Sequence, residues 1–200
     1  GPLRYTIFFK RADGTLGQQD DCVTYTSIYY QEGTPIALDL NGDGHIGVTG
    51  TGTGTNTHRT IGTTVQFDLD ADGTTETIEW FNGDGDGILV DNRNGNANHH
   101  LTGAQLFGDQ GGRYRDGYAK LARLDTNHDG AITGPELTGL VIWVDNGNAR
   151  FDTGEFHALT EYGITSLSTQ VTHVGDMLRS TATTTDGTMM TEDVILKTAH

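Results

Sequence analysis

The chain has 200 residues, a formal net charge of −15 at pH 7 and a hydrophobic fraction of 34%, which suits one domain or one domain with an appendage. Its 12 basic residues against 27 acidic ones argue against a nucleic-acid partner, because binding a polyanion needs a basic face. The single cysteine, Cys22, excludes an internal disulfide framework and a cysteine-ligated zinc site. We expect no membrane span, because no apolar run approaches the roughly 20 residues that it needs.

The first third of the sequence predicts strands. "RYTIFFKRADGTLG" predicts a strand followed by an Ala-Asp-Gly-Thr turn, and "VTYTSIYYQ" alternates β-branched and aromatic residues as strands do. A Gly/Thr-rich run, "GVTGTGTGTNTHRTIG", predicts a flexible loop. After it, "TTVQFDLDADGTTETIEWF" predicts two short strands around an acidic turn. Residues 1–3, Gly-Pro-Leu, are typical of a scar left by tag removal, so we do not expect this end to be the native start.

Helical spacing appears in the second half. Apolar residues share one face over residues 114–123, recur at i, i+3, i+4, i+7 over residues 136–144, and form a short stripe from Glu155 that Gly163 ends. The tail returns to strand-like alternation, with an Asp-Gly turn inside "MLRSTATTTDGTMMTEDVILKT". The sequence therefore predicts an α+β fold with a strand-rich N-terminal part and tail, and short helices with EF-hand-like calcium loops in the second half.

The stretch "LDTNHDGAITGPEL" matches the whole EF-hand loop pattern, D-x-[DN]-x-[DN]-G-x5-E. Calcium takes six to eight oxygen ligands, and this spacing supplies side-chain oxygens, one backbone carbonyl and a bidentate closing glutamate. A Thr133/Glu136 capping box on the next helix would explain those two residues but not the three upstream ones. The candidate ligands are Asp125, Asn127, Asp129, Ala131, Thr133 and Glu136.

A second loop matches the same pattern in a strand-like context. Because an extended chain can carry Glu79 away from the ion, Glu76 or a distant acid could complete the shell instead. The candidate ligands are Asp68, Asp70, Asp72, Thr74, Glu76 and Glu79.

Three further stretches match in part. "LDLNGDGHIG" is a half-loop with Gly50 at position 12, so its last ligand must come from elsewhere or from water; its candidates are Asp39, Asn41, Asp43 and His45. "VDNGNARFDTGEF" resembles a loop shortened by one residue; its candidates are Asp145, Asn148, Asp152 and Glu155. "NGDGDGILVDNRNGNANHH" is either a glycine-rich turn or a site that draws on Asp84, Asp86, Asp91, Asn94 and Asn96. Many oxygens on flexible loops favour calcium over magnesium, and we expect about four ions.

Taken in order, "PIALDLNGDG", "VQFDLDADGTTETIEWF", "GDGILVDNRNGN", "QLFGD", "GYAKLARLDTNHDGAI" and "VIWVDNGNARFDTGEF" resemble the calcium-binding modules of secreted RTX-type proteins, and especially the self-processing module of the FrpC type. The resemblance covers roughly residues 34–167. It implies secretion or a bacterial cell-surface location, calcium-dependent folding and a place in an adhesin- or toxin-like protein. We expect an N-terminal hairpin segment at 1–33, the calcium-binding module at 34–167 and a strand-rich extension at 168–200 that packs on it.

The resemblance also implies a possible activity. In self-processing members, calcium triggers cleavage of an Asp-Pro bond just before the module, through an anhydride that water or a lysine amine captures. Here the corresponding bond is Thr34-Pro35, and no Asp-Pro occurs in the sequence. Threonine cannot form that anhydride, so self-cleavage is disfavoured.

We therefore expect a calcium-binding structural or interaction module of an exported protein, with a cell-surface protein or glycan as its partner. A calcium-triggered self-processing module and an EF-hand or dockerin-like adaptor are the alternatives.

Overall fold

The structure is a computed structural model that describes residues 33–50 and 61–199, together with the backbone of residues 8–10 and 16–18. The predicted strand at residues 23–31 and the centre of the Gly/Thr-rich loop, residues 51–60, lie outside the described residues. The chain divides into two units, Gly1–Tyr30 and Gln31–His200, and each is described by itself.

In the first unit, strand β1 (Phe8–Lys10) pairs antiparallel with β2 (Leu16–Gln18). Phe8 lies opposite Gln18, and Lys10 lies opposite Leu16. This pairing agrees with the strand predicted for this stretch, whereas the predicted turn at residues 12–15 lies outside the described residues.

The second unit consists mainly of strands. These are β3 (Ile36–Leu38), β4 (Thr64–Phe67), β5 (Glu76–Glu79), β6 (Gly87–Asp91), β7 (Ala131–Thr133), β8 (Leu140–Trp143), β9 (Phe156–Ala158), β10 (Ile164–Ser168), β11 (Thr172–Val174), β12 (Met177–Thr184) and β13 (Gly187–Asp193). Within the described part of the chain, the one α-helix is α1 (Gly117–Leu121), and 3₁₀ turns span Ala122–Leu124, Gly134–Leu137 and Leu159–Tyr162. No helix among these has the length and apolar character that a membrane crossing requires.

Nine of these strands form one antiparallel sheet in the order β7-β10-β12-β13-β3-β6-β8-β9, with β11 paired to β12. Strands β4 and β5 form a separate hairpin. The predicted C-terminal hairpin is confirmed, because β12 and β13 pair from Leu178↔Asp193 to Thr184↔Gly187 around the Asp-Gly turn. Strand β13 also pairs with β3, so the tail lies inside the sheet.

Both faces of the central strands are buried. Ile88 and Val90 pack in one apolar cluster with Trp80, Trp143 and Phe67, whereas Leu89, between them, packs in a second cluster. Because side chains alternate across a strand, the two clusters lie on opposite faces of the sheet. The second cluster holds α1 through Tyr118 and Leu121.

The predicted α+β fold class is wrong, because the fold is predominantly antiparallel β-sheet and carries no EF-hand helices among the described residues. The helix predicted over residues 136–144 is instead a 3₁₀ turn followed by strand β8, and the helix predicted from Glu155 is strand β9 followed by another 3₁₀ turn. Only the helix predicted over residues 114–123 exists, shortened to α1 and the adjoining 3₁₀ turn.

The error at residues 140–143 has a physical cause. The run Leu-Val-Ile-Trp is apolar because β8 lies between β6 and β9 with both faces covered, and a short continuous apolar run fits a buried strand as well as a helix. Gly139, with φ +81°, adopts the left-handed conformation just before the strand and so separates the 3₁₀ turn from β8. The stop predicted at Gly163 is confirmed, since this residue caps the last 3₁₀ turn in the left-handed conformation.

Candidate metal centre

The hairpin of β4 and β5 presents a cluster of four carboxylates. Asp68, Asp70, Asp72 and Glu76 each place an oxygen within 4.8 Å of the others, an arrangement that could hold a metal ion. Asp68 directly follows β4, Asp70 lies two residues further on, and Glu76 begins β5. Because the hairpin closes between them, four acids that lie within nine positions of sequence face one point.

Backbone hydrogen bonds fix these carboxylates. Asp68 accepts from the N–H groups of Asp72 at 3.1 Å and Gly73 at 3.0 Å, and Asp72 accepts from the N–H of Thr74 at 2.7 Å. Glu76 turns back over the loop and accepts from the Leu69 N–H at 2.8 Å. The turn needs left-handed backbone at Ala71 and Gly73, with φ values of 61° and 94°.

The electrostatics of this cluster are unfavourable without a counter-ion. Burial raises the pKa of Glu76, and the nearby charges of Asp70, Asp68 and Asp72 raise it further, while the Leu69 N–H lowers it. Glu79, the acid at position 12 of the sequence pattern, is fully buried in β5 and is not part of this cluster. The structure thus brings Glu76, rather than Glu79, to the loop.

The loop that begins at Asp125 repeats the same backbone pattern. Asp125 accepts from the N–H groups of Asp129 at 3.2 Å and Gly130 at 2.9 Å, and Asp129 accepts from the Ala131 N–H at 3.0 Å. His128 and Gly130 adopt positive φ, as do Ala71 and Gly73 at the same two positions of the first loop.

The closing acid of this second loop has other partners. Glu136 forms a capping box with Thr133 and also accepts from the backbone N–H and the hydroxyl of Thr126, at 2.7 and 2.8 Å. The hydrogen bond from the Thr133 N–H contributes most to lowering the pKa of Glu136. The capping box considered from the sequence is therefore present, and Glu136 reaches back over the loop as well.

A third loop, after β3, has the same architecture. Asp39 accepts from the N–H groups of Gly42 at 3.0 Å and Gly44 at 2.9 Å. Asn41 accepts from the Asp43 N–H at 3.0 Å, and Asp43 accepts from the N–H of His45 at 2.9 Å. Three separate connections therefore fold in the same way, as the spacing D-x-[DN]-x-D-G predicts.

The shortened loop at residues 145–155 differs. Asp145 is 3% exposed and accepts from the Trp80 indole N–H at 2.7 Å, and Glu155 accepts from the Trp143 indole N–H at 3.0 Å. Asp152 accepts from the side-chain amides of Asn146 and Asn148. Oδ1 of Asp145 has no hydrogen-bond partner in the described part of the structure.

The two acids of the fifth stretch lie in different surroundings. Asp91 forms a two-point ion pair with Arg93, whose Nε and Nη2 lie 2.8 and 2.6 Å from its oxygens. Burial acts against the ionised form of Asp91, but the hydrogen bonds and charge of Arg93 lower its pKa overall. Asp86 is 8% exposed and accepts from the Gly47 N–H at 3.1 Å.

One group of acidic residues was not found from the sequence. It lines a single cavity and consists of Asp109, Asp116, Asp176 and Asp193. Asp193 is 3% exposed and lies beside Thr34 in a cavity of about 290 Å³, and its Oδ1 has no hydrogen-bond partner among the described residues. The Thr34-Pro35 segment is held on one side by the Val194 N–H, bonded to the Pro35 carbonyl at 2.9 Å. These acids come from distant parts of the chain, so no local spacing could reveal them.

The fold and the site define a class of protein, namely a β-sheet module whose strand connections carry acidic, glycine-rich loops. Comparison with known sequences identifies the family. The SPM domain matches residues 36–197, which is most of the chain, and the chain belongs to this family.

A curated relative supports the same conclusion. The "Iron-regulated protein FrpA" of Neisseria meningitidis serogroup C is 34% identical over 143 residues. The match covers 66% of this chain but only 12% of that protein. The two sources together support the predicted resemblance to an FrpC-like module.

Proposed function

We propose that this chain is a calcium-binding module of an exported RTX- or adhesin-like protein, and that it becomes stiff and fully folded when calcium binds. The observation that carries the proposal is the convergence of Asp68, Asp70, Asp72 and Glu76 within 4.8 Å. Carboxylate oxygens on a flexible loop are the ligands that calcium prefers.

The charge of the chain supports this proposal. Clustered carboxylates repel one another, and an ion that binds the folded chain better than the unfolded one stabilises the fold by mass action. About four calcium ions would offset about eight negative charges, against the formal −15. Extracellular calcium modules bind at about 10⁻⁴–10⁻³ M, so such a chain would be loose in the cytosol and folded outside the cell.

Equilibrium dialysis against calcium, with excess magnesium present, tests the proposal. We expect several ions per chain, and Glu76→Gln should remove one of them. Asp186→Asn is the matched control, because Asp186 is an exposed residue of the β12–β13 turn, away from the acidic loops. A wild-type chain that binds no calcium at millimolar concentration would refute the proposal.

Self-processing is the second candidate function. The SPM match begins at residue 36, next to the Thr34-Pro35 bond. The bond therefore lies at the edge of the module, where the resembling modules are cleaved, and this supports self-processing as a candidate. Thr34 lacks the carboxylate that the cleavage of the resembling modules uses, so the sequence argues against this activity in the chain as it stands. A cell-surface protein or a glycan as the partner stays a prediction, as do the domain limits at residues 33/34 and 167/168.

A further inference from the structure

Four Asn-Gly pairs lie in the connections that follow strands, and all four asparagines are exposed. In such a pair the backbone nitrogen of glycine can attack the side-chain carbonyl carbon of asparagine, because glycine has no Cβ to hinder the approach. The attack closes a five-membered succinimide ring and expels ammonia, and water then opens the ring to aspartate or isoaspartate. The pairs that could react in this way are Asn41-Gly42, Asn82-Gly83, Asn94-Gly95 and Asn146-Gly147.

Hydrogen bonds protect three of these pairs. The attacking nitrogen must lose its proton and turn towards the side chain, so an N–H group that already donates a hydrogen bond reacts slowly. The three protected N–H groups are those of Gly42, which donates to Oδ1 of Asp39 at 3.0 Å, Gly147, which donates to Oδ2 of Asp145 at 3.1 Å, and Gly95, which donates to the carbonyl oxygen of Asn92 at 2.9 Å.

The pair at residues 82–83 is different. Within the described part of the chain, the N–H of Gly83 has no hydrogen-bond partner. Oδ1 of Asn82 accepts from the Asp84 N–H at 3.1 Å, and a donor placed there stabilises the negative charge that develops on this oxygen during the attack. The side chains of Asn41 and Asn146 accept from the backbone in the same way, but the glycine N–H groups beside them are engaged. Only residues 82–83 combine a free nucleophile with a polarised carbonyl group.

The packing of this turn requires glycine at position 83. Gly83 has φ +75°, and a Cβ on it would lie 2.6 Å from the carbonyl oxygen of Asn146. A side chain at residue 83 would therefore be strained and would push the turn away from the loop at residues 145–155. The fold thus keeps the reactive type of pair at this place, and a test must vary residue 82 instead.

The surroundings of Asn82 decide what its deamidation would change. A Cβ on Gly47 would lie 2.4 Å from Oδ1 of Asn82 and 2.1 Å from Oδ2 of Asp84, so the amide and the carboxylate lie side by side against the backbone of Gly47. Asp86 is in the same turn, and the charge of Asp84 already acts to raise its pKa. Replacing the uncharged amide by a carboxylate would add a third negative charge to this turn.

We propose that Asn82 is a modification site, at which the folded chain deamidates spontaneously and selectively. The nitrogen of Gly83 forms the new bond to Cγ of Asn82, the bond from Cγ to the amide nitrogen breaks, and ammonia leaves. Water is the only other reactant, and it supplies the oxygen of the new carboxyl group. The modification makes the chain one charge more negative and is independent of the proposed function.

Peptide mapping by mass spectrometry tests this inference on the full chain, incubated at mildly alkaline pH with calcium present. Under these conditions the chain is folded whether or not folding requires the ion, and circular dichroism verifies it. Asn82 is expected to deamidate faster than each of the other three asparagines by roughly tenfold or more, since a hydrogen bond must first break at those sites. In concentrated urea the four pairs should react at similar rates, because the hydrogen bonds are lost.

Asn82→Gln is the matched control, because glutamine keeps the amide but would have to close a larger ring. This variant should lose the fast reaction and keep the slow ones, and the fast rate in wild type should rise with pH because Gly83 must give up its proton. Equal rates at all four pairs in the folded chain would overturn the proposal. An Asn82 that stays intact in the folded chain while the urea-unfolded chain reacts would overturn it as well, and either result would leave the proposed calcium binding unaffected.

Discussion

Trp80 donates its indole N–H to Oδ2 of Asp145 at 2.7 Å, across 65 positions of sequence. The neighbouring indole of Trp143 donates to Oε2 of Glu155 at 3.0 Å, and the two rings lie 5.9 Å apart. Both tryptophans of the chain therefore contact the two acidic ends of one loop. Burial raises the pKa of Asp145, and hydrogen bonds from Ala149 and Trp80 lower it.

We expect tryptophan emission to report occupation of this loop. If calcium binds Asp145 and Glu155, the electric field at both indoles changes, so adding calcium to chelated protein should shift the emission maximum or intensity. Trp80→Phe and Trp143→Phe should each keep part of the change. Unchanged emission in protein that dialysis shows to bind calcium would exclude the 145–155 loop as an ion site.

Gly33, which precedes the Thr34-Pro35 bond, packs closely against Leu69 in the loop that carries the four-carboxylate cluster. A Cβ on Gly33 would lie 1.6 Å from Cδ2 of Leu69, the residue between Asp68 and Asp70. Gly33→Ala should therefore destabilise the protein by about 1–3 kcal/mol, as overpacking usually does, and should weaken calcium binding by displacing the loop. Chemical denaturation and calcium titration measure the two effects.

Leu69→Ala removes the side chain that collides but also empties a buried position, so the rescue that we expect is a double variant with Gly33→Ala that loses less stability than the two single variants together. The control is Gly103→Ala, whose Cβ would lie 1.6 Å from the backbone carbonyl oxygen of Leu69. No change of the Leu69 side chain can relieve that collision, so Gly103→Ala should not be rescued. Equal rescue of both variants would contradict the packing described.

Elements specified by local signals were predicted better than elements specified by distant pairing. The hairpin around Asp68 and the C-terminal hairpin follow from alternation and turn residues, which are local signals. The loop conformations at Asp39, Asp68 and Asp125 also follow from local spacing. Strand β8 does not, because its character depends on pairing with β6 and β9, and those strands lie far away in sequence.

Which residues form each candidate site could also be predicted only where the residues are close in sequence. Glu76 was open to prediction as an alternative to Glu79, because strand geometry carries position 12 away from the loop. The position of Asp193 beside Thr34 was not, because it depends on the pairing of β13 with β3. Asp91, a predicted ligand, has an arginine two residues away, but only the structure shows that the two form an ion pair.

The buried Asp193 should make stability depend on pH. Burial raises its pKa well above 3.8, the charges of Asp116 and Asp109 raise it further, and the Gly117 N–H and the Thr34 hydroxyl lower it. Arg115 and Asp176 line the same cavity. Between the two pKa values, the folded state thus keeps a proton that the unfolded state loses. The contribution of Asp193 to the free energy of unfolding is therefore complete below the unfolded pKa and is lost as the pH rises through the folded pKa.

Asp193→Asn cannot ionise and should not lose this contribution. In EDTA, its free energy of unfolding should exceed that of wild type at pH 8, and the difference should shrink as the pH falls towards 4. Urea denaturation across this range measures it, with Asp186→Asn as a control that should show no such trend. A difference that stays constant with pH would contradict a protonated Asp193.

Thr34→Asp tests whether one side chain withholds self-processing. The variant creates an Asp-Pro bond in a segment held by Val194 and, through the Gly33–Leu196 pair, by the tail. If the surroundings are competent, calcium should produce fragments of residues 1–34 and 35–200, visible by gel electrophoresis and mass spectrometry. Thr34→Asn, which has similar size but no carboxylate, should stay intact. An intact Thr34→Asp chain in saturating calcium would remove self-processing as a candidate function.

Thermal unfolding with calcium and with excess EDTA tests the central claim most directly. At ten times its dissociation constant, each ion contributes about 1.4 kcal/mol, so several ions should raise the melting temperature by roughly 10 °C or more. We predict a sharp fall in melting temperature on chelation, reversed by calcium but not by equal magnesium. An identical melting temperature in EDTA and in calcium would contradict the account.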